Sequence, residues 1–105
     1  MDNKTQTQII QNLTHKITLN LFKSGCDEKN FQILEQLPTK TIELEKLFDL
    51  SKMPLNRRLN ELAKIGLIER ELYKGELKPT ELTKRFLDVI KDLEKEVMKE
   101  IPKFI

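Results

Sequence analysis

The stretch 50–83, LSKMPLNRRLNELAKIGLIERELYKGELKPTELT, constrains this chain most, because its pattern changes period at a single glycine. Before Gly66, Leu55, Leu59 and Leu62 recur at spacings of four and three. At 100° per residue they fall within about 60° of one another, which predicts an amphipathic helix over 52–65. Pro54 lies in the first turn, where a missing N–H costs little, and Gly66 supplies the stop, with Leu67 placed to touch Leu62. Beyond the glycine, 67–73 and 76–80 read as two strands with Lys74-Gly75 at the tip. A two-residue tip sets Leu72 opposite Leu77 and Glu71 opposite Lys78, an apolar pair and an opposite-charge pair; Lys-Gly is a weaker turn signal than Asn-Gly and leaves a longer loop open. Pro79 suits an edge strand, and Thr83 starts a helix over 84–101 that Pro102 ends.

Upstream, Ile10, Leu13, Ile17 and Leu21 recur at helical spacing and predict a helix over 3–23. Ser24-Gly25 ends it, glycine being the residue that most readily adopts the left-handed conformation after a helix. Asp27 is placed to cap a helix over 28–37 that Pro38 closes. Thr41 caps a short helix over 42–48, and Asp49-Leu50-Ser51 is a turn. The expected fold is mostly α with a small β-hairpin: a winged helix-turn-helix with extra N- and C-terminal helices. It forms a single domain over 1–105 with the winged core at 27–83; a length of 105 residues suits one such unit.

Composition narrows the function. Cys26 is the only cysteine and His15 the only histidine. One thiol makes neither an internal disulfide nor a zinc site, and His15 stands between Thr14 and Lys16 with no nucleophile beside it. Three separated glycines form no phosphate loop. The reading is therefore no enzyme, no cofactor and no metal. No apolar run approaches the ~20 residues of a membrane span, and the first ten residues lack the order of a secretory signal. The expected location is the cytoplasm. Net charge is only +2, so a nucleic-acid surface has to come from uneven distribution.

The helix over 52–65 supplies such unevenness. Opposite its leucines lie Met53, Arg57, Asn60 and Lys64, with Asn56 and Glu61 on the flanks. Lys52, Arg57, Arg58 and Lys64 face one acid, Glu61, an excess of three positive charges. Arg can take guanine O6 and N7 with two hydrogen bonds, and Asn can take adenine N6 and N7. Lysines neutralise phosphates. The expected DNA-binding residues are Lys52, Met53, Asn56, Arg57, Asn60 and Lys64, with Lys74 at the wing tip. The same polar residues are also compatible with a face that only meets water. Arg58 lies nearer the leucines, where an internal ion pair and a phosphate contact are both open. Arg70, Lys74 and Lys78 give the hairpin basic points, but Glu69, Glu71 and Glu76 dilute them.

LSKMPLNRRLNELAKIGLIERELY resembles the helix-turn-helix and first wing strand of bacterial and archaeal winged-helix regulators of the ArsR, MarR and HxlR groups. LKPTELTKRFLDVI resembles their second wing strand and following helix, so the resemblance spans roughly residues 27–90. It implies a winged-helix fold, homodimerisation and regulation of transcription. Asn56, Arg57 and Asn60 fall where these families present DNA-reading side chains. The chain departs from metal-sensing ArsR proteins in lacking their cysteine and histidine clusters, and from many HxlR proteins in lacking a cysteine and tryptophan near the start.

The terminal helices carry the remaining pattern. Phe86, Ile90, Leu93, Val97 and Ile101 recur close to a heptad. The expected dimer interface joins Ile10, Leu13 and Ile17 of the first helix to Phe86, Ile90, Leu93 and Val97 of the last; the competing arrangement folds both helices back on their own core. A dimer would present two recognition helices ~34 Å apart, one turn of DNA. The functional expectation is a sequence-specific DNA-binding transcription regulator with double-stranded DNA and a second copy as partners. The alternative is a winged-helix module binding another protein of the transcription or replication machinery.

Overall fold

A computed structural model describes residues 3–71 and 73–105. The order of elements is α1 (Asn3–Gly25), α2 (Glu28–Glu35), β1 (Thr39–Lys40), α3 (Thr41–Phe48), α4 (Lys52–Lys64), β2 (Ile68–Glu71), β3 (Glu76–Pro79) and α5 (Glu81–Glu100), with a closing 3-10 turn at Ile101–Lys103. The strands make one antiparallel sheet in the order β1-β3-β2. The chain is mostly helical and carries the winged helix-turn-helix arrangement of α2, β1, α3, α4 and the β2–β3 wing, flanked by the long helices α1 and α5.

The core is mostly aliphatic because the helices turn their periodic Leu and Ile positions inward. Ile33 and Leu34 of α2, Leu44 of α3, Leu55, Leu59 and Leu62 of α4, Leu67, Ile68 of β2 and Leu77 of β3 are buried together with Leu21 and Phe86. Burying a side chain of this size is worth about 1.5–3 kcal/mol, so the three α4 leucines alone fix which face of that helix is left outside.

The local stops explain the boundaries. Asp27 caps α2 by accepting the Asn30 N–H. Asp49, at φ 50°, ends α3 in the left-handed region, which a short polar side chain tolerates. At the end of α4, Leu67 N–H bonds Leu62 O at 2.9 Å and Gly66 N–H bonds Ala63 O at 3.1 Å. With Gly66 at φ +86°, this is the Schellman closure expected of that glycine.

Five expectations are corrected. The hairpin register pairs Glu71 with Glu76, Arg70 with Leu77 and Glu69 with Lys78. The paired strands therefore end at Glu71 and resume at Glu76, further apart than the two-residue tip Lys74-Gly75, and the opposite-charge pair is Glu69 with Lys78. The expected pairing of Leu72 falls on a residue outside those described. The sheet also has a third strand, β1, set against β3 with Thr39 opposite Leu77. Gly25 does not take positive φ. A Cβ there would stand 2.7 Å from Phe86 Cζ, so the glycine serves close approach of that ring. Thr41 is not the cap of α3; Lys40 holds that place, and Thr41 instead holds the wing through its N–H and hydroxyl to Gly75 O, at 2.9 and 3.2 Å. The cap of α5 is Thr80, in a capping box with Thr83. Thr83 is buried and donates to Leu67 O, while Thr80 Oγ1 donates to Gly66 O at 2.6 Å. These two threonines dock the start of α5 onto the Gly66 turn.

Candidate nucleic-acid interface

The position of α4 follows from its two flanks. On one, Arg58 Nη1 donates to Asp27 Oδ2 at 2.6 Å and to Asn30 Oδ1 at 3.1 Å. Asn30 is buried and donates to Ser24 O at 3.0 Å, and Ser24 Oγ donates to Glu61 Oε1 at 2.9 Å. The junction of α1 with α2 thus grips Arg58 and Glu61. Asp27 is held below its ordinary carboxylate pKa, chiefly by the Asn30 N–H, with partial burial opposing and the Arg58 hydrogen bond and charge adding to the lowering. Of the two open roles for Arg58, the internal ion pair is the one present.

On the other flank, Arg70 of β2 reaches across to α4. Its Nη1 donates to Asn60 Oδ1 at 2.6 Å and its Nη2 to Asn56 Oδ1 at 3.0 Å. One guanidinium therefore bridges two asparagines one helical turn apart. Sequence reasoning placed Arg70 on the wing but missed this contact. The signal was an Asn pair at i and i+4 followed by an arginine beyond the glycine turn, visible only once the strand is known to run back beside the helix.

Between these flanks the outer face of α4 is open. Lys52, Met53, Arg57, Asn60 and Lys64 are exposed and Asn56 is half-buried; Met53 retains 76% of its surface. Lys52, Arg57 and Lys64 have no ion-pair partner among the described residues. With Arg58 matched by Asp27, these three cations give the open face its charge. Exposed Lys74 stands at the wing tip beside Tyr73, which is fully exposed. The wing is mixed in sign along its length: Glu69 stands across from Lys78, and Glu71 across from Glu76.

The terminal helices divide at the edge of the core. Residues 5–20 of α1 and 91–105 at the other end are exposed throughout. Ile10, Leu13, Ile17, Leu93 and Val97 each keep between 51% and 63% of their surface, and Ile90 is half-buried. Phe86 departs from the expected interface. It is 3% exposed and packs edge-on against Phe22 and Phe31, at 5.3 and 6.1 Å between centroids, so it belongs to the chain's own core. The radius of gyration, 16.9 Å, exceeds the roughly 13 Å of a compact domain of this length; the projecting helices account for the excess.

The fold and the open α4 face define a winged-helix protein with a cationic outer surface on α4. No protein-family model matches the chain, and no curated protein matches it. Among the described residues no cluster of His, Cys, Asp and Glu could hold a metal ion, and no helix is long and apolar enough to cross a membrane.

Proposed function

We propose that this chain is a sequence-specific DNA-binding regulator of transcription, acting in the cytoplasm as a homodimer. The observation that carries the reading is the outer face of α4, where Arg57, Lys52 and Lys64 stand exposed and without an ion-pair partner among the described residues while the helix is fixed from behind by Leu55, Leu59 and Leu62. A helix held in this way can enter the major groove, Arg57 reading base edges and the lysines, with Lys74, holding phosphates. The unburied apolar stripes of α1 and α5 support a two-fold dimer, which would place two such helices about one DNA turn apart.

A mobility-shift series on the duplex upstream of the protein's own coding region tests this reading, run from low to physiological salt. The expected result is a specific complex whose affinity falls with log salt as phosphate contacts are released. No complex at low salt would argue against it. The wing, where Glu69, Glu71 and Glu76 offset Arg70, Lys74 and Lys78, carries no net charge for DNA and favours one second reading, a module that docks on another protein. That reading predicts that Arg57→Ala disrupts a protein complex while duplex affinity is already negligible in the unaltered chain.

A further inference from the structure

We infer that Arg70 is a specificity-setting residue, which turns Asn56 and Asn60 into hydrogen-bond donors and selects base edges rich in acceptors, guanine above all. The inference rests on the DNA-binding reading and deepens it. A guanidinium has only donors, so the atom each asparagine turns toward Arg70 has to be Oδ1. At 2.6 and 3.0 Å each carbonyl oxygen already accepts from Arg70 with one of its two lone pairs. The side-chain groups of the pair that make no hydrogen bond among the described residues are the two Nδ2 amides, each carrying only N–H. These bonds are charge-assisted and hold the amide planes more firmly than neutral partners would. Arg57 beside them is also donor-only.

The surface formed by Asn56, Arg57 and Asn60 is therefore a continuous set of donors. Adenine recognition by asparagine needs Oδ1 turned to N6–H and Nδ2 to N7 together. Here the wing strand holds Oδ1, so adenine N6–H has to share that oxygen with a charge-assisted bond from Arg70. Guanine presents N7 and O6, both acceptors, and thymine presents O4; either can take the amide N–H groups without a claim on Oδ1. Cytosine offers a donor to a surface of donors. The expectation drawn from residue types alone, that the asparagines read adenine, is replaced by guanine or thymine at the positions they contact.

Selection from a random-sequence duplex library with the intact chain, followed by competition among the four bases at each selected position, tests this. Asn60→Ala, at an exposed site, marks the position read by Asn60. The expected result is guanine or thymine there, favoured over adenine by roughly tenfold in the unaltered chain and by less than about threefold in Arg70→Ala. Arg70→Lys, which keeps the charge but loses the fork, should show the same loss of preference. Adenine or cytosine at the marked position would overturn the inference and leave DNA binding intact. So would equal weakening for all four bases in Arg70→Ala. Failure to bind any duplex at low salt would remove both the inference and the reading beneath it. Without DNA, the side-chain amide signals of Asn56 and Asn60 in nuclear magnetic resonance should move in Arg70→Lys; unmoved signals would show that the bridge is absent in solution.

Discussion

The winged core and the terminal helices use the same residue types to opposite ends. In the core, Leu55, Leu59 and Leu62 of one helix are completely buried, and each polar side chain turned inward has a partner. In the projecting parts of α1 and α5, leucines, isoleucines and valines at equally regular spacing remain about half exposed. Periodicity therefore says that a helix has an apolar side, and not what covers it. In the core the cover is local in sequence; along the arms a second copy is the proposed cover.

This contrast can be broken by substitution. Leu59→Ala should destabilise the fold by about 2–5 kcal/mol, the usual cost of a cavity at a closed site. Urea unfolding measures it, and a loss near zero would mean the core is not closed there. Leu93→Asp should leave secondary structure unchanged but weaken self-association roughly a hundredfold, since it puts a charge into the proposed apolar seam. Sedimentation at several concentrations would report this; unchanged association would take Leu93 out of the interface, and a monomeric unaltered chain would leave the arms without a second copy.

The joint between the two regions is the next target. Gly25→Ala drives a methyl group to within 2.7 Å of the Phe86 ring. It should cost about 1–3 kcal/mol by overpacking, visible as a lowered midpoint for a cooperative transition. The smallest effect is expected at Asp27, where Asp27→Ala removes the α2 cap and should cost about 1 kcal/mol. Its pH dependence has a definite sign. The folded-state pKa of Asp27 lies below the ordinary 3.8, so its contribution is present above that value and is lost as pH falls through the lower folded one. Wild type and Asp27→Ala should accordingly converge in stability only in that acid range; convergence near neutral pH would contradict the cap.

Much of the core was legible in the sequence because its signals are local. The Asp27 cap, the Gly66 stop and the leucine stripe of α4 each involve residues within a turn or two of one another. What escaped was set by distance or by weak turn chemistry. The two residues of β1 carry no alternation, and only their pairing with β3 makes them a strand. Lys-Gly is a poor tight-turn signal, and the hairpin took a longer loop and a register two residues away from the expected one. Phe86 fits the heptad spacing as well as Leu93 does, yet Gly25, distant in sequence, opens the space that draws it into the core. The candidate interface was legible as a list of exposed cations. Its organisation was not, because the bonds from Arg70 to Asn56 and Asn60 exist only once the wing has folded back on the helix.

The claim at the centre of this account is that the outer face of α4 reads DNA. The most direct test measures Arg57→Ala against a duplex selected by the unaltered chain and against an unrelated duplex, at the same salt concentration. The account predicts a loss of about 1–3 kcal/mol on the selected duplex and a distinctly smaller loss on the unrelated one, with preference relaxed at one base pair. Equal losses on both duplexes, or no loss on either, would contradict it.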